Sequence, residues 1–300
     1  MIITRVTVVG GGLMGSGIAQ VCAQAGLATI VREVTPSLAD RASASIKRSL
    51  DKGVEKGKVT PAARDAALGK LTFTTDIGAA RDSDVVIEAI AEDLALKESL
   101  FRELDTLCPE RTIFASNTSS LVIAEMAAMT KRPDRFCGLH FFNPVPLMPL
   151  VEVVRAVGTS DATVNSALAL ARALGKDPIV AKDRSGFVVN FLLVPYMLDA
   201  VNAFESGVAS VEDIDKAMRL GCGHPMGPFT LLDFVGLDTT LKIAEIFFGE
   251  YREKRYAPPP LLKRMVTAGW YGRKSGKGFY DYSGAEPVVN AALASRGGRT

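Results

Sequence analysis

The sequence predicts an α/β chain: a doubly wound, mostly parallel sheet over residues 1–184, followed by an all-α domain over residues 185–300. Three observations predict it. Up to about residue 180, short β-branched runs alternate with longer helical patterns, the signature of βαβ units and a parallel sheet. After Asp183-Arg184-Ser185-Gly186 that alternation stops, and long segments of helical period take over. Finally, 300 residues exceed what one hydrophobic core ordinarily holds.

The first run, Arg5 to Val9, leads directly into Gly10-Gly11-Gly12-Leu13-Met14-Gly15, a G-x-G-x-x-G between a strand and a helical pattern. Gly10 permits the tight turn, Gly12 lets the backbone approach a pyrophosphate, and Gly15 allows close helix-to-strand packing. Leu13 and Met14 open a helix whose free N–H groups and positive dipole end suit a phosphate. This is the Rossmann-type setting for a dinucleotide. The second run, Ala28 to Val31, is followed by Arg32 and Glu33. Glu33 stands 21 positions beyond Gly12, the spacing of a carboxylate that accepts from the ribose 2′-hydroxyl and repels a 2′-phosphate, so NAD is expected over NADP. Arg32 is a guanidinium that could accommodate the extra phosphate. FAD is the competing dinucleotide.

Between Arg41 and Lys58 a helical stretch carries Lys47, Arg48, Lys52, Lys56 and Lys58. It reads either as a cationic face for a phosphate-bearing ligand or as a solvated face relieved by Asp51 and Glu55. Further strands are expected at Leu71 to Thr74, Val85 to Ala89, Thr112 to Ala115, Phe136 to His140, Val151 to Val154 and Pro178 to Ala181, with the near-continuous apolar character of a sheet covered on both faces. Helical segments then run from Phe187 to Glu205 with a kink at Pro195, Val211 to Leu220, Phe229 to Phe248 and Pro259 to Ala268, and the tail from Ser283 is expected to fray.

Composition narrows the function. Hydrophobic residues at 48% and charged residues at 23% describe a packed globular chain. A net charge of +2 with no single-sign tail gives no support to nucleic-acid binding. The four cysteines, Cys22, Cys108, Cys137 and Cys222, form no C-x-x-C pair, which argues against a zinc site or disulfide framework and for a reducing, cytoplasmic setting. The first residues already read as a strand, leaving no room for a targeting peptide. The longest apolar run, Phe187 to Leu198, contains Asn190 and Pro195 and falls short of the roughly 20 residues of a membrane span.

Only His140 and His224 offer a proton shuttle near neutral pH. His140 ends a candidate strand, where doubly wound folds place ligand-facing groups, although a lone histidine there is also commonly structural. His224 is boxed by turn residues. Around His140, the segments Ala115-Ser116-Asn117-Thr118-Ser119-Ser120, Gly138 to Pro146, Leu150-Val151-Glu152-Val153-Val154 and Gly186-Phe187-Val188-Val189-Asn190 together resemble the L-3-hydroxyacyl-CoA dehydrogenase family, including its bacterial 3-hydroxybutyryl-CoA dehydrogenases. The resemblance runs in order from about residue 3 to Tyr282. It implies an NAD-dependent interconversion of (S)-3-hydroxyacyl-CoA and 3-ketoacyl-CoA, a step of fatty acid β-oxidation. His140 is then the acid/base, Glu152 its orienting carboxylate, and Ser119 and Asn190 hold the substrate oxygens. Cofactor contacts are implied at Glu92, Lys97, Ser119, Asn143 and Lys274, coenzyme A contacts at Ser49, Lys56 and Ser119, and homodimerisation through the helical domain. The bland readings are solvated helix charges for Glu92 and Lys97, a helix N-cap for Ser119 and an incidental polar residue for Asn190. A related hydroxyacid or sugar-acid dehydrogenase, and a non-catalytic crystallin-like protein on the same fold, are the alternatives.

Overall fold

The structure, a computed structural model, describes residues 2–294 and divides into two compact units, Met1–Phe187 and Val188–Thr300. In the first unit the chain runs β1 (Arg5–Val9), α1 (Leu13–Gln24), β2 (Ala28–Arg32), α2 (Pro36–Glu55), α3 (Pro61–Leu68), β3 (Leu71–Thr74), β4 (Val85–Glu88), α4 (Leu94–Leu107), β5 (Ile113–Ser116), α5 (Ile123–Ala128), β6 (Phe136–Phe141), β7 (Leu150–Arg155), α6 (Asp161–Ala173) and β8 (Asp177–Lys182). Every strand run expected from the sequence is present, with ends shifted by a residue or so. The sheet order is β3-β2-β1-β4-β5-β6-β7-β8, parallel except where β6 meets β7. The order reverses between β1 and β4, the switch point at which doubly wound sheets hold ligands at their carboxyl ends.

Pleating sends alternate side chains to opposite faces, and two apolar clusters show it. Val6 and Val8 of β1, Val31 of β2 and Ile87 of β4 join Ile18 of α1 and Ile46 of α2 in one cluster; Val9, Val86 and Phe114 join Leu100 and Phe101 of α4 in the other. Helix starts follow capping chemistry: the hydroxyls of Thr35, Thr60 and Ser160 accept from Leu38 N, Ala63 N and Thr163 N at the heads of α2, α3 and α6. The first turn of α5 is held from afar, since the Asp183 carboxylate accepts from Ile123 N and Ala124 N at 2.8 Å each.

The second unit holds α7 (Val189–Glu205), α8 (Val211–Gly221), α9 (Pro228–Val235), α10 (Leu237–Tyr251), α11 (Pro260–Thr267), a ribbon of β9 (Tyr280–Asp281) and β10 (Val288–Val289), and α12 (Ala291–Ala294). Pro195 lies inside α7. Two expectations are corrected here. The segment Phe229 to Phe248 is two helices, broken at Gly236, whose φ of +102° is a conformation that L side chains rarely adopt. The tail is not frayed from Ser283: β10 pairs with β9, Asn290 Nδ2 donates to Gly278 O at 2.8 Å, and Leu293 is buried. The last residues of that tail, 295–300, lie outside the described ones. Two buried carboxylates tie the ribbon to the helices. Asp215 accepts from Phe229 N, Thr230 N and the Tyr280 hydroxyl, and Asp233 accepts from Phe279 N, Tyr280 N and the Tyr282 hydroxyl. Burial pushes the Asp233 carboxyl up to about 6 against those donors.

Among the described residues no helix is long and apolar enough to cross a membrane, and no cluster of His, Cys, Asp and Glu could hold a metal ion.

Candidate active site

The glycine turn has a geometry suited to cradling a phosphate. Gly10 has φ +94°, and a Cβ there would lie 2.6 Å from the Ala89 carbonyl oxygen. At Gly15 a Cβ would run into the Gly10 carbonyl, so only glycine lets α1 approach the turn this closely. Around Gly12 a Cβ would meet nothing within 4 Å, leaving an open side. Leu13 and Met14 begin α1, which has neither a side-chain cap nor an acidic residue in its first turn, so its first N–H groups face outward with the positive end of the helix dipole. Glu33 stands beside this turn: its Oε1 accepts from Gly11 N at 2.6 Å and its Oε2 from Val34 N at 3.1 Å. N–H donors for a pyrophosphate and a fixed carboxylate for ribose hydroxyls form the donor set that a dinucleotide requires.

His140 and Glu152 face each other across the one antiparallel junction of the sheet. They are register partners in β6 and β7, and directly opposed residues in an antiparallel pair project to the same face. His140 Nδ1 lies 2.6 Å from Glu152 Oε2, with His140 6% exposed and Glu152 fully buried. The rings of Phe142 and Phe187 flank the imidazole at centroid distances of 4.5 and 5.6 Å. A histidine so held presents a fixed tautomer, with Nε2 left for chemistry.

Glu92 and Lys97 are not solvated helix charges. Lys97 is 1% exposed and its Nζ lies 2.9 Å from both Glu88 Oε1 and Glu92 Oε2. Glu88, at the end of β4, is fully buried and accepts from Ser116 Oγ at 2.5 Å and from Ile90 N at 2.7 Å. Burial pushes the Glu88 carboxyl above its ordinary value despite Lys97. Burial also raises Glu92, but Lys97 and the hydroxyl and amide donors outweigh it, so that carboxyl lies below the usual value. Glu92 Oε1 accepts from Thr118 Oγ1 at 2.5 Å, Ser119 N at 3.1 Å and Ser120 Oγ at 3.2 Å. The network thus fixes the Ser119 backbone. Ser119 is not the N-cap of α5: that helix has Val122 at its cap position and takes its acceptor from Asp183.

Two further residues hold the loops around His140, and sequence reading singled out neither. Asn117 Oδ1 accepts from Phe141 N at 2.9 Å, stitching the end of β5 to the end of β6. Lys176 Nζ donates to the carbonyls of Val145 and Met148 and so ties down the turn that follows Asn143; burial lowers its pKa. Asn143 itself is exposed. A sequence signal existed for Asn117 alone, as part of the run from Ala115 to Ser120.

Ser49 is exposed on α2 and Lys56 at its C-cap, both outside the buried stripe Ala39, Ala42, Ile46 and Leu50. Lys47, Arg48 and Lys52 share that exposure, and Asp51 does not neutralise them in isolation, because it pairs with Arg64 of α3 at 3.1 Å. In the second unit, Asn190 is half-buried in the first turn of α7, and Lys274 Nζ pairs with Asp238 at 2.6 Å.

Comparison with known proteins gives this geometry its family. The profile described as "3-hydroxyacyl-CoA dehydrogenase, NAD binding domain" matches residues 5–184, and that described as "3-hydroxyacyl-CoA dehydrogenase, C-terminal domain" matches residues 186–282. The chain is 52% identical to a 3-hydroxybutyryl-CoA dehydrogenase of Mycobacterium tuberculosis, over 93% of this chain and 99% of that protein. It is 46% identical to the human mitochondrial hydroxyacyl-coenzyme A dehydrogenase, over 94% and 92% respectively. A solved structure of (S)-3-hydroxybutyryl-CoA dehydrogenase PaaH1 from Ralstonia eutropha superposes with a TM-score of 0.92 at 43% identity, covering 94% of this chain and all of that one. Matched in both domains and over nearly its whole length, the chain belongs to the 3-hydroxyacyl-CoA dehydrogenase family, the NAD-dependent oxidoreductases of 3-hydroxyacyl-CoA thioesters.

Proposed function

We propose that the chain interconverts short-chain (S)-3-hydroxyacyl-CoA and 3-ketoacyl-CoA, with the 3-hydroxybutyryl thioester preferred and His140 moving the proton. The observation that carries this reading is the buried His140–Glu152 pair at the carboxyl end of the sheet, in the same unit as the glycine cradle and Glu33. Bound NAD supplies the hydride acceptor. His140 Nε2 takes the substrate's hydroxyl proton in oxidation and returns it in reduction. Glu152 accepts from Nδ1–H, holds the tautomer and stabilises the imidazolium as it forms. Glu92 and Lys97 position the Ser119 segment, and the hydroxyl of Ser119 makes no hydrogen bond to the described residues, so it is available to the substrate. By family position Ser119 and Asn190 are each assigned to the substrate oxygens, Asn143 and Lys274 each to the cofactor, and Ser49 and Lys56 to coenzyme A. The basic outer face of α2 supports the last assignment.

The short-chain preference rests on the relatives named for 3-hydroxybutyryl-CoA. Homodimerisation through the helical unit is supported by the exposed apolar side chains Leu192, Leu220 and Phe234. Four free thiols, three of them buried, fit a reducing cytoplasmic setting. The test is NADH oxidation followed at 340 nm with acetoacetyl-CoA, longer 3-ketoacyl-CoA thioesters and free acetoacetate. Turnover of the thioester at far higher kcat/KM than the free acid is expected; preference for the free acid would overturn the coenzyme A reading, and preference for long chains the butyryl one.

A further inference from the structure

We propose that Arg32 reads the adenine base of the cofactor and not a 2′-phosphate, an inference that rests on the dinucleotide site described above. Arg32 and Glu33 are adjacent, yet strand pleating turns them to opposite faces of the sheet. Glu33 lies on the α1/α2 face: a Cβ on Gly11 would meet Ala42 Cβ of α2, Val31 Cγ1 and the Glu33 Cγ together. Arg32 lies on the α4 face, because its register partner in β1 is Val9, which packs with Leu100 and Phe101 of α4. Glu88, Ser116, His140 and Glu152 take that same alternation in their own strands, since Ile87, Ala115, Leu139 and Val151 beside them all pack in the opposite cluster. The polar groups on the carboxyl rim of the α4 face therefore include Arg32 near one end and the His140–Glu152 pair toward the other.

Arg32 is also unsatisfied. Its Nε is buried with no hydrogen-bond partner, and no carboxylate among the described residues pairs with its guanidinium. Buried N–H groups are nearly always matched by an acceptor, so an acceptor belongs in the bound state. A 2′-phosphate is a poor match, because it would stand against the Glu33 carboxylate that Gly11 N and Val34 N hold in place. The adenine is joined to the ribose at the carbon next to the 2′-hydroxyl, so a ribose held by Glu33 would bring the base close to the end of β2. It offers ring nitrogens that accept and a π face on which a guanidinium stacks.

The experiment is a binding titration, by cofactor fluorescence or calorimetry, of wild type, Arg32→Met and Arg32→Lys with NADH, NADPH and reduced nicotinamide mononucleotide, which lacks the adenosine half. Arg32→Met should weaken NADH about tenfold, the scale of a partly desolvated stacking contact. NADPH should weaken by the same factor, the mononucleotide should bind unchanged, and Arg32→Lys should recover only part of the loss. An NADH affinity within twofold of wild type, a loss confined to NADPH, or an equal loss for the mononucleotide would each overturn the proposal. Wild type that binds no NADH would overturn the dinucleotide site itself, and the proposal with it.

Discussion

Replacing Glu152 with glutamine changes one charge and almost no volume. Its Oε2 lies 2.6 Å from His140 Nδ1, and with both groups buried the pair is little screened by water. When His140 takes up the substrate's proton, an imidazolium forms against that carboxylate. Two unit charges about 4 Å apart attract by about 4 kcal/mol at an effective dielectric of about 20. A glutamine retains a neutral hydrogen bond worth about 1 kcal/mol, so the net loss is about 3 kcal/mol, roughly a hundredfold in rate. If the amide N–H₂ turns toward the ring, Nε2 carries the proton and cannot act as the base; the analogous change in a Ser-His-Asp triad costs about ten-thousandfold. Glu152→Gln should therefore lower kcat for oxidation of (S)-3-hydroxybutyryl-CoA by two to four decades, leaving NADH affinity and the unfolding midpoint near wild type. A kcat within fivefold of wild type, with the midpoint unchanged, would mean that the Glu152 charge does not act through His140.

Lys97→Met strands the buried Glu88 and the partly buried Glu92 without their cation, at a cost of about 3–5 kcal/mol. Differential scanning calorimetry should show the first unit melting on the order of 10 °C lower. Lys176→Met leaves the Val145 and Met148 carbonyls without their charged donor; stability should fall by about 2 kcal/mol and kcat several-fold, with Lys176→Arg rescuing part of both. For Asp233, whose folded pKa is raised to about 6 from 3.8 by burial, the sign follows from linkage. The folded state prefers the protonated form, so this group's contribution is fully present below pH 3.8 and is lost as pH rises through about 6. The stability difference between wild type and Asp233→Asn, from denaturant titrations, should fall by up to about 3 kcal/mol across that window; a flat or rising difference would contradict it.

Much of the first unit is legible in the sequence because its signals are local. The β-branched runs, the glycine turn and the offset to Glu33 each depend on residues close in the chain, and the structure packs Gly15 of α1 against Gly10 and sets Glu33 beside the glycine turn. The family resemblance implied the pairing of His140 with Glu152, but their direct opposition depends on β6 and β7 being antiparallel, which the sequence does not dictate. By charge pattern alone Lys97 and Glu92 remain open to being solvated charges, since their burial depends on Glu88 of β4 and Ser116 of β5. Asp183 marks only the end of the alternating pattern in the sequence, although it caps a helix 60 residues earlier. The break at Gly236 was a local signal hidden by the apolar run on either side. The terminal ribbon was illegible for the opposite reason, being held by Asp233 and Gly278 and not by its own composition.

In the proposed reaction a proton moves through His140 while hydride passes between the cofactor and a 3-hydroxyacyl thioester. Single-turnover oxidation of bound NADH by acetoacetyl-CoA, wild type against His140→Gln, tests it most directly because it isolates the chemical step from product release. The variant should bind NADH and acetoacetyl-CoA as wild type does yet turn over at least a hundredfold more slowly. A variant that reduces acetoacetyl-CoA within a few-fold of the wild-type rate would contradict it, and would send the search for the proton donor to another residue.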